Sequence, residues 1–198
     1  MNYEQSINYI HSIPKFRRPL GNANLEKLLN HLGNPQKKLK FIHIAGTNGK
    51  GSTAAMTAEI LKKSGFKTGL FTSPYLEVFN ERIRINGENI TDNDLAEYVT
   101  RVKAIMKKNN ALVSEFAFIT AVSFLYFYEK QCDIVVLEVG MGGKLDATNV
   151  IDSSLVSVIC KIGLDHTQYL GNTVEESLKK NAVLCVTAAQ PFHIRTMM

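Results

Sequence analysis

A three-layer α/β sandwich around a mostly parallel sheet is the fold class the sequence predicts. Three observations carry that expectation. Short β-forming runs alternate with helical patterns, as strand–helix–strand units require. Two of those runs, Ile134-Val135-Val136-Leu137 and Leu155-Val156-Ser157-Val158-Ile159, are nearly continuous apolar segments, which suit a parallel sheet covered on both faces. Between a strand and a helix lies Gly46-Thr47-Asn48-Gly49-Lys50-Gly51-Ser52, a glycine-rich loop in the context that binds anions.

In chain order, residues 2–12 and 22–33 read as helices. Leu25, Leu28, Leu29 and Leu32 recur at helical spacing, and Gly33-Asn34-Pro35 stops the second helix. Between them, Pro14 to Gly21 is a loop carrying Arg17 and Arg18. Lys40–Ile44 is the first strand and Thr53–Lys63 the helix after the glycine-rich loop. Ser64-Gly65 ends that helix, and Lys67–Phe71 follows as a strand expected to pair in parallel with the first. Glu81–Ile85 alternates polar and apolar residues and meets Asn86-Gly87, a strong hairpin signal, with Glu88–Ile90 returning. Thr91 caps a helix with Asp92 and Asp94 in its first turn and an apolar stripe from Leu95 to Met106. Residues 114–130 form a helix so apolar that it must be buried on most sides. The strands at 134–137 and 155–159 complete the sheet.

Composition narrows the function classes. The chain has 198 residues, 45% hydrophobic and 21% charged, which fits one ordinary globular domain. No apolar run reaches the roughly 18 residues of a membrane helix, and the N-terminus is not a signal peptide; a cytoplasmic location is expected. Cys132, Cys160 and Cys185 form no metal-ligand pair and read as thiols in a reducing compartment. The net charge of +5 favours anionic partners. The basic residues are scattered rather than clustered with aromatics, so nucleic acid is not among them.

Ligands of parallel α/β sheets bind outside the carboxyl ends of the strands. The first strand is followed by the glycine-rich loop, the second by Thr72-Ser73-Pro74-Tyr75, the apolar run 134–137 by Glu138 and Gly140-Met141-Gly142-Gly143, and 155–159 by Lys161 to His166. A lysine, a serine, a carboxylate and a histidine thus converge on one edge. Lys50 supplies a point charge for phosphates, and Ser52 or Thr53 a hydroxyl near magnesium. A carboxylate at Glu138 is costly unless it is paired or metal-bound; the alternative is a salt bridge to Lys144 or Arg82. His166 is a site residue or a satisfied core histidine. The loop departs from the usual phosphate-binding pattern: Ile44 stands five before Gly49, and Gly51 follows Lys50.

The string Gly46–Ser52 resembles the nucleotide loop of the folylpolyglutamate and dihydrofolate synthases, and more distantly the Mur ligases of peptidoglycan synthesis. Thr72–Leu76, Phe79–Gly87, Leu137–Gly143 with Leu145–Asn149, and Leu164–Thr167 resemble further motifs of that family in the same order, over about residues 20–175. The resemblance implies a fold like the Mur ligase central domain, with ATP and Mg2+ as cofactors. It implies that Thr47, Asn48, Gly49, Lys50, Gly51 and Ser52 hold the ATP phosphates, and that Ser73, Glu138 and His166 contact magnesium. It further implies that Lys50, Glu138 and His166 carry catalysis, while Ser73, Pro74, Tyr75, Arg82, Ser114 and Phe116 meet the substrate. The implied reaction phosphorylates a carboxylate of folate or dihydropteroate with ATP, and L-glutamate displaces the phosphate to form an amide. A monomer is expected.

Two departures stand out. Where the family has Glu-Lys-Ala-Gly, with a carbamylated lysine, this chain reads Lys180-Asn181-Ala182-Val183. Family members also carry a second, glutamate-binding domain. The expectation is therefore an ATP-binding ligase domain over residues 1–176 and a divergent tail over 177–198, as in an incomplete copy. A catalytically inactive ATP-binding remnant and a P-loop ATPase or kinase that does not ligate are the competing readings.

Overall fold

The computed structural model describes residues 1–16, 21–143, 145–163, 173 and 175. Five α-helices and six strands are formed by these residues, besides three short 3-10 turns: α1 (Tyr3–Ser12), α2 (Ala23–His31), β1 (Phe41–Ala45), α3 (Lys50–Lys63), β2 (Thr68–Phe71), β3 (Ile83–Ile85), β4 (Glu88–Asn89), α4 (Asp92–Lys108), α5 (Glu115–Glu129), β5 (Ile134–Glu138) and β6 (Val156–Ile159). The strands make one sheet in the order β4-β3-β2-β5-β1-β6. The pairs β2–β5, β5–β1 and β1–β6 are parallel, while the β3–β4 hairpin turns at Asn86-Gly87 and adds antiparallel strands beside β2.

The sheet corrects one expectation. The strand–helix–strand unit β1-α3-β2 does not pair its own strands, because β5 inserts between them and bonds to both. All four residues of β2 and all five of β5 are buried, as central positions demand.

Helix boundaries follow from caps. Asn2 and Gln5 cap the start of α1 reciprocally: each side-chain oxygen accepts the other's N–H, at 2.9 and 3.0 Å. Asp94 N–H donates to Thr91 Oγ1 at 3.1 Å to start α4. The helix α3 begins earlier than the apolar pattern suggests, at Lys50 rather than Thr53, because Gly49 takes φ +83° and turns the chain straight into the helix.

Two unequal cores flank the sheet. On one side Phe41, Val135 and Leu137 pack with α1, α2, α4 and the mostly apolar α5, through Leu28, Val99, Phe118, Phe124 and Phe127. On the other, Ile44, Leu70 and Val136 pack with Ala54, Ala58 and Leu61 of α3. Strand β6 lies at the sheet's edge among the described residues, where Leu155 and Val156 remain 48% and 37% exposed.

Candidate functional site

The carboxyl ends of β2, β5, β1 and β6 stand side by side and build the site from four loops. Strand pairing sets the register: Ile44 lies opposite Glu138, and Ala45 opposite Ile159. The backbone thus delivers the ends of β1, β5 and β6 to nearly the same height.

The loop after β1 is fastened from one side. Thr47 and Asn48 N–H both donate to Lys161 O, at 2.9 and 3.2 Å, and Thr47 Oγ1 donates to Gly163 O and accepts from Gly163 N–H. At Gly46 a Cβ would lie 2.8 Å from Cys160 Cβ, so only glycine lets the loop pass the end of β6. The first helical bond runs from Thr53 N–H to Gly49 O at 2.9 Å. Gly49, Lys50, Gly51 and Ser52 therefore carry the N–H groups that a helix start leaves unspent, with the positive end of the helix dipole behind them. Such a helix start can seat an anion, while the Thr47 and Asn48 amides are already bonded to Lys161 O. Lys50 Nζ rests on Thr47 O at 3.2 Å.

Glu138 closes the seat. It is 3% exposed, on the α3 face of the sheet, and its two carboxylate oxygens each lie 3.7 Å from where a Gly51 Cβ would stand. Ser73 N–H donates to Glu138 Oε2 at 2.9 Å, joining the ends of β2 and β5. Burial pushes the Glu138 carboxyl above its ordinary range; the Ser73 N–H and the Lys50 and Arg82 charges oppose this without reversing it. No salt bridge joins Glu138 to Arg82 among the described residues, and Lys144, the other partner considered, lies outside them.

A second cluster adjoins the first. The Arg82 guanidinium sits over the rings of Tyr75 and Phe79, at 5.2 and 5.4 Å. Burial lowers its pKa, and Glu115, Tyr75 and Glu138 act to raise it. Its Nε is buried with no hydrogen-bond partner among the described residues. The loop bearing Ser73, Pro74 and Tyr75, with a cis Ser73–Pro74 bond, is held by Glu81, whose carboxylate accepts from the N–H groups of Leu76, Glu77 and Val78 at 2.8, 3.0 and 3.0 Å.

Ser114 and Phe116 are placed differently from each other. The Ser114 hydroxyl caps α5, accepting from Ala117 N–H at 3.4 Å. Phe116 lies against the loop after β5: a Cβ at Gly140 would stand 2.6 Å from Phe116 Cζ. His166 and Asn181 lie outside the described residues.

Residues that the sequence pattern does not single out lie behind that loop. Asp146 is buried, and its Oδ1 accepts from Thr148 N–H and Oγ1–H at 2.9 and 2.6 Å, its Oδ2 from Met141 N–H at 2.8 Å. Burial pushes its carboxyl up, against those donors. Thr148 Oγ1 in turn meets His43 Nε2 at 2.8 Å.

The Mur ligase middle domain matches residues 44–185. The chain belongs to the Mur ligase middle-domain family.

Within it, the chain is similar to the folylpolyglutamate synthase of Lacticaseibacillus casei, at 43% identity over 92% of this chain and 44% of that protein. It is also similar to the dihydrofolate synthase/folylpolyglutamate synthase of Bacillus subtilis, at 42% identity over 88% of this chain and 41% of that protein. A solved FPGS–AMPPCP–folate complex superposes with TM-score 0.88 and 42% identity, covering 93% of this chain and 46% of that one. E. coli FolC in complex with DHPP and ADP does so with TM-score 0.85 and 30% identity, over 93% and 44%. The chain spans less than half the length of the curated relatives it matches.

Proposed function

We propose that this chain is the nucleotide-binding part of an ATP-dependent ligase that joins L-glutamate to a carboxylate of folate or dihydropteroate. One observation carries the reading: Glu138, anchored by Ser73 N–H, faces the unspent amides of α3 beside Lys50. The complexes of similar proteins with AMPPCP and folate, and with DHPP and ADP, support it.

In this reading the four amides from Gly49 to Ser52 and the Lys50 ammonium hold the triphosphate. Magnesium fits the residues present. The Glu138 carboxylate and Ser73 hydroxyl are hard oxygen donors, and the buried carboxylate lacks a full counter-charge. The described residues hold no cluster of three His, Cys, Asp or Glu, so phosphate oxygens and water would complete the shell. When bound, the ion would neutralise charge on the phosphates.

The chemistry splits an uphill condensation into two steps. The substrate carboxylate attacks the γ-phosphorus, an acyl phosphate forms and ADP leaves. The glutamate amine then attacks the acyl carbon, inorganic phosphate departs and the amine loses a proton. Arg82, stacked on Tyr75 and Phe79 beside Glu138, is the cation available to orient an anionic substrate.

A cytoplasmic, monomeric protein belongs to the same proposal. No helix among the described residues is long and apolar enough to cross a membrane, and Cys132 and Cys160 are free thiols, as a reducing compartment favours. Incubating the purified chain with radiolabelled ATP, folate and glutamate tests the reading. It expects ATP-dependent amide product; phosphate release independent of folate would replace it with a non-ligating ATPase.

A further inference from the structure

The loop after β5 is pinned from the interior of the sheet by a fully buried residue, His43. His43 occupies the middle of β1, fully buried, on the main-core face shared with Phe41. Its Nε2 lies 2.8 Å from Thr148 Oγ1, and its Nδ1 is buried with no partner among the described residues. The Thr148 hydroxyl has one proton, directed at Asp146 Oδ1 2.6 Å away. Toward His43 the hydroxyl therefore acts as acceptor, so His43 Nε2 carries a proton and donates it. Burial keeps the ring neutral, lowering the His43 pKa to about 3. The chain of donors runs one way: His43 Nε2–H to Thr148 Oγ1–H to Asp146. At Asp146 Oδ2 it meets Met141 N–H, three residues after Glu138, the end of β5.

The far side of that loop has no slack. Gly140 is wedged between Phe116 and Asp146: a Cβ there would stand 2.6 Å from Phe116 Cζ and 3.1 Å from Asp146 Oδ2. The loop's position thus depends on where the Asp146 carboxylate points. Four donors fix that direction: the backbone N–H groups of Gly140, Met141 and Thr148, and the Thr148 hydroxyl. The hydroxyl is the one whose orientation is set from elsewhere, by His43.

We infer that His43 is a positioning residue: acting through Thr148 and Asp146, it orients the Gly140–Gly143 loop that forms the Phe116 side of the acceptor site. The ligand part of this inference rests on the proposed folate reading, whereas the loop part does not. An apolar residue at 43 would fill the same space in β1 and leave Thr148 free to rotate its hydroxyl away from Asp146. A glutamine there keeps a side-chain N–H donor of comparable reach.

The test compares His43→Leu, His43→Gln and Thr148→Val with the unmodified full chain by amide hydrogen exchange and by folate titration in the presence of Mg-AMPPCP. The expected result is a roughly tenfold loss of protection at Met141 in His43→Leu and Thr148→Val. Protection at Val136, inside β5, should stay within about twofold, and His43→Gln should restore Met141. Folate affinity should fall about tenfold in the same two variants, with AMPPCP affinity unchanged. Unchanged Met141 protection in His43→Leu overturns the inference. Equal losses at Met141 and Val136 overturn it too, since they would show a general loosening of the sheet. A loosened loop with unchanged folate affinity reduces His43 to a structural part and also overturns it. If the unmodified chain binds AMPPCP but no folate, the substrate reading fails, and exchange at Met141 alone decides whether His43 orients the loop.

Discussion

Two loops leave neighbouring parallel strands of this sheet and use their backbone amides in opposite ways. The loop after β1 spends its first amides, Thr47 and Asn48, on Lys161, and leaves those from Gly49 to Ser52 unspent at the start of α3. The loop after β5 turns inward, with the Met141 and Thr148 amides bonded to Asp146 and the whole backed by His43. Their side chains also part across the sheet. Glu138 faces the small core under α3, whereas His43 shares the large core under α5. The first loop is built to receive charge from outside, the second to hold a fixed shape. The contrast explains how one edge offers both an electrostatic seat and a rigid wall.

Breaking the wall should have the largest effect on folding. Asp146→Ala leaves the Met141 and Thr148 donors buried without their acceptor and is expected to cost about 3 kcal/mol. Thermal unfolding should show a fall in Tm of about 9 °C. A loss below about 1 kcal/mol would mean that water or a shifted backbone replaces the carboxylate.

A pH titration sharpens the contrast next. His43 stays neutral in the fold down to about pH 3, while in the unfolded chain it binds a proton near 6.5. The unfolded state therefore holds more protons between those values, and stability falls as pH drops below 6.5. His43→Gln removes that contribution, which should reach about 2 kcal/mol by pH 5. Urea unfolding at pH 7 and pH 5 measures it: the gap between wild type and variant should narrow by that amount on acidification.

Glu138 behaves with the opposite sign. Its carboxyl is raised by burial, so the folded state holds its proton more tightly and loses stability as pH rises from the unfolded value through the folded one. Glu138→Gln keeps an acceptor for Ser73 N–H and removes the buried charge. It is expected to stabilise the unliganded chain by about 1 kcal/mol at pH 7 while weakening magnesium-dependent nucleotide binding. A destabilised variant would show that Lys50 and Arg82 already neutralise the charge in full.

The seat is more legible in the sequence than the wall. Lys50, Ser73 and Glu138 can be read because each comes just after an apolar run, and a parallel sheet gathers the residues at its strand ends along one edge. Strand order is less legible: the sequence places β2 next after β1, but β5, which pairs with both, arrives late in the chain. The helix start differs by three residues because it depends on the backbone turn at Gly49 rather than on apolar spacing. His43 gives no local signal. It sits in an apolar strand, and its partner Thr148 is 105 residues away. Asp146 and Thr148 are visible only as part of a family string, because nothing in their spacing reveals that they bond to each other and to the β5 loop.

Whether the first loop accepts a triphosphate decides the rest, and calorimetric titration of Mg-ATP into the purified chain tests this most directly, with Lys50→Ala as the comparison. The expected result is one site, an affinity that falls when magnesium is withheld, and a loss on the order of a hundredfold in Lys50→Ala with unchanged Tm. Equal affinity in the two proteins, or no heat from either while both remain folded, would contradict it.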